Sequence, residues 1–274
     1  MPAFDLNPIL WTTLAISVAS LFQTVELFLL RQTFNAGGIW RWSLIRRDFE
    51  ASGRIMQFVF DSIFPYPNFL VLLVIRLTAA AGLIVTALLY PANLPEVMGG
   101  PVLILLLSTV AVSIRWRGTF NGGSDYMTII ILTGLSLSAV FPGSPAAALG
   151  CVYYITFHTC RSYFVSGIVK LNSSKWRDGT ALGCFINSGI YGPANPLAAV
   201  LRSPPIAIGL SWAVILFEVT FPLAILNPSL CLGYLVLGLC FHLSNVYLLG
   251  LNRFLFAWAA AYPAVFWCSL YGVR

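Results

Sequence analysis

Charge is the scarcest thing in this chain. Only 9% of its 274 residues are Asp, Glu, Lys or Arg, while 59% are hydrophobic. A soluble domain is about a quarter charged, so an ordinary water-exposed globule is excluded. Histidine is scarcer still, with His158 and His242 alone. The six cysteines (Cys151, Cys160, Cys184, Cys231, Cys240 and Cys268) form no C-x-x-C pair and mostly lie in apolar runs. They read as small buried hydrophobes and carry no redox or zinc signature; no metal is expected. No low-complexity tail, fixed-period repeat or stretch long enough for a separate soluble domain occurs. No basic n-region precedes the first apolar run, so that run is expected to be a retained helix and not a cleaved signal peptide.

What is there is apolar length. Stretches of about 18–25 residues match the thickness of a bilayer crossed by helices. Runs such as "FLVLLVIRLTAAAGLIVTALLY" (69–90) are continuous and do not alternate, which favours helices over a barrel. The fold class is therefore all-α: a polytopic membrane helical bundle, one domain over residues 1–274. Eight spans are expected, near 8–30, 67–90, 97–114, 125–141, 146–170, 206–227, 230–251 and 254–272. Residues 39–64 mix Trp and Phe with Arg and predict an amphipathic helix lying in the interface. The connection 171–205, rich in Gly and Pro, is expected to be largely irregular.

The net charge of +6 sits in loops, so topology and anionic lipid account for it better than nucleic acid, which is not an expected partner. Loops after the odd-numbered spans hold eleven Lys or Arg, from Arg31 to Arg253; the opposite side has Arg274 alone. Basic loops stay cytoplasmic, which predicts both termini outside. The expected location is an integral, multi-pass position in a bacterial inner membrane or its equivalent.

Ionisable groups inside a bilayer are costly and are functional candidates. Glu26, Arg76, His158, Arg161, Lys170, Glu218 and His242 all fall within expected spans. Glu26 and Glu218 are candidate partners for Arg76 and Arg161, in structural ion pairs. His158 and Arg161 share a helix face. Ser162, Ser166 and Lys170 follow at four-residue steps, a polar stripe that either lines a cavity or knits helices together. His242, near Asn245, reads as a hydrogen-bonded core histidine or a ligand contact. A lysine near the membrane edge can snorkel and do no chemistry. Burial disfavours an ammonium, however, so a lysine in a dry site can serve as a general base.

Lys170 opens the segment "SGIVKLNSSKWRDGTAL" (166–182). This segment resembles the signature of the HTTM family, the horizontally transferred transmembrane domain, which includes the membrane part of vitamin K-dependent γ-glutamyl carboxylases. "RWRGTFNGGSDYMTIIIL" (115–132), "FEVTFPLAI" (217–225) and "FHLSNVYLLGLNRFLFAWAAAYP" (241–263) resemble further family segments in the same order. The resemblance covers essentially the whole chain. It implies that Lys170, between Gly167 and Leu171, is a base that deprotonates a quinol. His158 is the nearest candidate for a second catalytic group, since no histidine lies between Asn121 and Pro145. Asn121, Asp125, Arg161, Trp176, Arg177, Asp178, Glu218 and His242 are the candidate substrate- or ligand-binding residues. The implied cofactor is a quinol or quinone, and the implied partners are membrane lipid and a small-molecule or peptide substrate. The carboxylases' long extramembrane part has no counterpart here, and the charge count puts Lys170 at the cytoplasmic edge where theirs serves the lumenal side. Two other readings stand beside the enzyme: a non-carboxylating maturation or export factor for a small secreted peptide, and a lipid-binding structural membrane protein.

Overall fold

The computed structural model describes residues 7–116, 122–187 and 203–272. Among these there is no strand. Eight long helices dominate: α1 (Pro8–Leu29), α2 (Asn68–Leu89), α3 (Gly99–Trp116), α4 (Gly122–Val140), α5 (Pro145–Asn172), α6 (Pro204–Thr220), α7 (Pro228–Leu249) and α8 (Asn252–Tyr271). A 3₁₀ turn, Phe221–Leu226, prolongs α6. Each expected span is thus a helix. Seven are long and apolar enough to cross a membrane. The remaining one, α5, has the length, at 28 residues. It carries His158, Arg161 and Lys170 along with several Ser, Thr and Tyr, which makes it the least apolar of the eight. The protein is a multi-pass, all-α integral membrane protein. Large apolar side chains such as Val71, Leu88, Leu107, Phe157 and Leu232 point outward, as lipid-facing helices require.

The chain forms two compact units, residues 13–147 and residues 1–12 with 148–274. In the first, Arg76 of α2 is 1% exposed. Its guanidinium donates to the Ser20 carbonyl, Thr24 Oγ1 and Gln23 Oε1 of α1, and to Thr109 Oγ1 of α3. Hydrogen bonds of this kind replace the hydration that a buried guanidinium loses. Arg115, also fully buried, donates to the carbonyls of Phe64 and Trp40 and lies over the rings of Phe34, Trp42 and Phe69. It ties the connection 40–64 to the end of α3.

That connection is not the single amphipathic helix expected. It breaks into Trp42–Ile45, a 3₁₀ turn Arg46–Phe49, and a helix Arg54–Ile63 that starts after extended Gly53. The break lets the two arms face each other. Asp61 accepts from Trp42 Nε1 at 2.8 Å and pairs with Arg46 at 2.8 Å. The second arm is strongly amphipathic and exposes Ile55, Met56 and Phe58, which suits an interfacial position.

The second departure lies after α5. Much of 171–205 was expected to be irregular, yet in its described part Ser174–Arg177 and Thr180–Asn187 are helical. The polar burst supplies its own turn chemistry. Arg177 donates to the Leu171 carbonyl at 2.6 Å, satisfying an open acceptor at the end of α5. Asp178 accepts from the Thr180 amide at 2.9 Å and so starts the next helix. Hydrogen bonds from Thr180 hold the Asp178 carboxyl below its usual range. Gly179 between them has φ +78°, and a Cβ there would stand 2.8 Å from the Ile208 amide nitrogen. Only glycine both adopts this turn and lets it dock on the start of α6. The Gly- and Pro-rich stretch 188–202 lies outside the described residues.

Candidate functional site: a lysine–glutamate pair under a tryptophan

Lys170 sits in the last turn of α5, where a cation also suits the helix dipole. Its Nζ donates to Glu218 of α6 at 2.6 Å (Oε2) and 2.8 Å (Oε1), and to Ser166 Oγ at 2.6 Å. Ser166 in turn donates to Glu218 Oε1 at 3.3 Å. The side chain of Glu218 is only 4% exposed and that of Lys170 14%. The ammonium lies 5.2 Å from the centroid of the Trp176 ring, a cation–π distance. Trp176 leans on Phe185 of the following helix at 6.0 Å. The expected stripe therefore divides. Ser166 and Lys170 face Glu218, while Ser162 accepts from Trp258 Nε1 of α8 at 3.3 Å.

One glycine makes this geometry possible. A Cβ on Gly167 would stand 2.7 Å from the Val219 amide nitrogen and 2.9 Å from the Glu218 Cβ. α5 and α6 thus touch backbone to backbone one turn before Lys170, which brings the carboxylate under the amine.

A second polar knot lies deeper in the same unit. Tyr163 is one turn before Gly167; its hydroxyl is 2.7 Å from His242 Nε2 and 2.7 Å from the Tyr262 hydroxyl. Gly238 leaves room for both phenols, because a Cβ there would collide with the Tyr262 hydroxyl. The His242 Nδ1 has no hydrogen-bond partner among the described residues.

The candidate residues fall out as follows. Lys170, Glu218 and Trp176 converge. Arg177 and Asp178 build the turn that carries Trp176, with their polar atoms engaged by backbone. His242 joins the tyrosine knot. Glu218 pairs with Lys170, so the expected pairing of Glu218 with an arginine is replaced. His158 is twelve residues before Lys170, about 18 Å along the helix. It packs edge-on to Tyr154 and Phe157 and is not part of the lysine cluster. Arg161 is exposed and lies about half a turn round α5 from Lys170. Asp125 occupies the first turn of α4, in the other compact unit. Asn121 lies outside the described residues. Tyr163 and Tyr262 were missed by the sequence reading; the available signal was that a tyrosine inside an apolar span needs a partner for its hydroxyl. Among the described residues, no three His, Cys, Asp or Glu side chains gather as metal ligands would.

Fold and site together define a class: a multi-pass helical membrane protein with a partly sheltered lysine–carboxylate pair at the end of a long helix. Beyond that class, no family model matches the chain, and no curated protein or solved structure is significantly similar to it.

Proposed function

We propose that this is an integral-membrane enzyme of the carboxylase-like HTTM type, in which Lys170 is the general base toward a quinol or another lipid-soluble hydroxyl compound. The supporting observation is the setting of Lys170. Its Nζ is held by Glu218 and Ser166, is capped by an aromatic ring, and keeps 14% exposure. A quinol in this site would supply the acidic hydroxyl and the redox chemistry. The chain's own residues orient it and handle the proton. Once the Lys170 ammonium has lost a proton to solvent, the neutral amine takes a hydroxyl proton at Nζ, and the Glu218 carboxylate stabilises the ammonium so re-formed. Ser166 fixes the amine's direction, and Trp176 offers a flat apolar surface and excludes water. A positioned base contributes about 10²–10⁴-fold in rate. We further infer a bacterial inner membrane, or its equivalent, as the location.

The test has two arms. Native mass spectrometry of protein purified from its own membrane looks for a co-purifying quinone; a retained peptide instead would favour the maturation-factor reading. Consumption of a reduced naphthoquinone under air is then compared in wild type and Lys170→Arg. Guanidinium does not deprotonate at working pH, so the arginine variant is expected to be inactive. Full activity in that variant would reduce Lys170 to a positive charge at the membrane edge.

A further inference from the structure

A cleft of about 500 Å³ opens along the opposite side of α5. Its walls are Tyr153, Phe157 and Phe164 of α5, Pro222 and Ile225 of the 221–226 turn, and Cys268 of α8. Gly272, just past the end of α8, closes one end. Such a volume lies within the roughly 300–1,000 Å³ of small-molecule sites. The lining is mostly apolar; the hydroxyls of Tyr153 and Thr156 are its neutral polar groups, and among the described residues Arg161 is the only charged side chain in it. Arg161 is near the middle of the 28-residue α5, and its guanidinium has no hydrogen-bond or ion-pair partner among the described residues.

That combination is costly as it stands. A guanidinium facing hydrocarbon needs an anion, a carbonyl or water, and among the described residues no carboxylate side chain lines this cleft. Helical side chains lean toward the helix N-terminus, a tendency that favours Arg161 pointing along α5 toward the Tyr153 end of the cleft. Tyr153 stands beside Gly272, where α8 ends, and a Cβ on Gly272 would lie 3.3 Å from the Tyr153 ring. That tendency favours the end of the cleft where α8 terminates.

We propose that this cleft is a binding site for one anionic phospholipid, its phosphate paired with Arg161 and an acyl chain lying between Phe157, Phe164 and Ile225. Charge complementarity selects the head, and the apolar walls select the tail. Basic positions between membrane helices bind anionic headgroups by the same rule. The site is independent of Lys170 and of any reaction there.

The experiment offers the purified protein equal amounts of phosphatidylglycerol and phosphatidylcholine and reads retained lipid by native mass spectrometry. Wild type is expected to retain one phosphatidylglycerol preferentially. Arg161→Gln is expected to lower that preference about fivefold, the size of one basic residue facing an anionic headgroup. Arg161→Lys, which keeps the charge, retains the preference. Arg161 is exposed and, among the described residues, makes no hydrogen bond or ion pair, so the glutamine variant should fold normally, which its thermal stability in lipid-free detergent checks. The proposal is overturned if wild type shows no preference between the two lipids, or if Arg161→Gln leaves the preference unchanged. Retention of a neutral quinone in place of phospholipid, insensitive to Arg161→Gln, overturns it equally.

Discussion

Lys170 and Glu218 stand 48 residues apart in the chain and 2.6 Å apart in space. Both are shielded, so neither charge is cheap to hold alone. Removing one partner of a buried pair typically costs about 3–5 kcal/mol, because the survivor is left uncompensated. Glu218→Ala should destabilise the protein toward that range, moderated by the 14% exposure of Lys170. The double variant Lys170→Met/Glu218→Leu should recover much of the loss. Thermal unfolding in one detergent gives the coupling from the double-mutant cycle. Additive single effects would mean that the pair does not couple.

Gly167→Ala addresses the close approach that makes the pair. The added methyl would press on the backbone of Val219 and on Glu218 Cβ, both under 3.0 Å away. Neither is the free end of a flexible side chain, so α6 must shift. Overpacking of this kind typically costs about 1–3 kcal/mol. Glu218 should also be drawn away from Lys170. A stability measurement reads the first effect. Combining Gly167→Ala with Glu218→Ala reads the second: the Glu218→Ala penalty should shrink when the pair is already loosened.

Acid should loosen the 42–63 arms before the bundle. Asp61 is held below the usual carboxylate range, chiefly by its hydrogen bond from Arg46 and next by that from Trp42. A folded value below the unfolded one means that the contribution is present above the ordinary carboxylate value of about 3.9. It is lost as pH falls through the lower folded value. A spin label at Met56 should therefore become more mobile below about pH 3.9. Asp61→Asn should give the mobile signal at neutral pH already, with little further change on acidification.

How much of this was legible depends on sequence distance. The spans were readable because hydrocarbon thickness imposes apolar runs of fixed length. The Ser166–Lys170 face was readable because it repeats every four residues on one helix. The choice of Lys170 over an arginine as the partner of Glu218 was not. It depends on the contact of Gly167 with Val219, a packing event that periodicity does not encode. The same holds for the meeting of Tyr163 with His242 and Tyr262. His158 and Arg161 drew attention by being ionisable in a span, yet their helix positions turn them away from Lys170. In the loop after α5, glycine content argued for irregularity, but Asp178 at a helix start and Gly179 at φ +78° turned that composition into turn chemistry between two short helices.

The least apolar long helix, α5, gives the sharpest topological test. Between Asn93 and Ser174 lie three long helices, α3, α4 and α5. If all three cross, the two positions lie on opposite faces; if α5 does not, they share a face. Both residues are exposed. The charge asymmetry predicts Ser174 on the cytoplasmic side, beside Lys175 and Arg177, and Asn93 outside. Of the native cysteines, Cys151, Cys160, Cys231 and Cys268 are buried, and only Cys184 and Cys240 are exposed. Replacing those two by serine leaves a background suited to labelling without disturbing the packed thiols. A membrane-impermeant maleimide applied to intact cells should then label Asn93→Cys and spare Ser174→Cys until the membrane is opened. Labelling of both from outside would remove α5 from the bilayer and take Lys170 away from the membrane edge. Labelling of Ser174→Cys alone would invert the orientation and put Lys170 on the side that the carboxylases use.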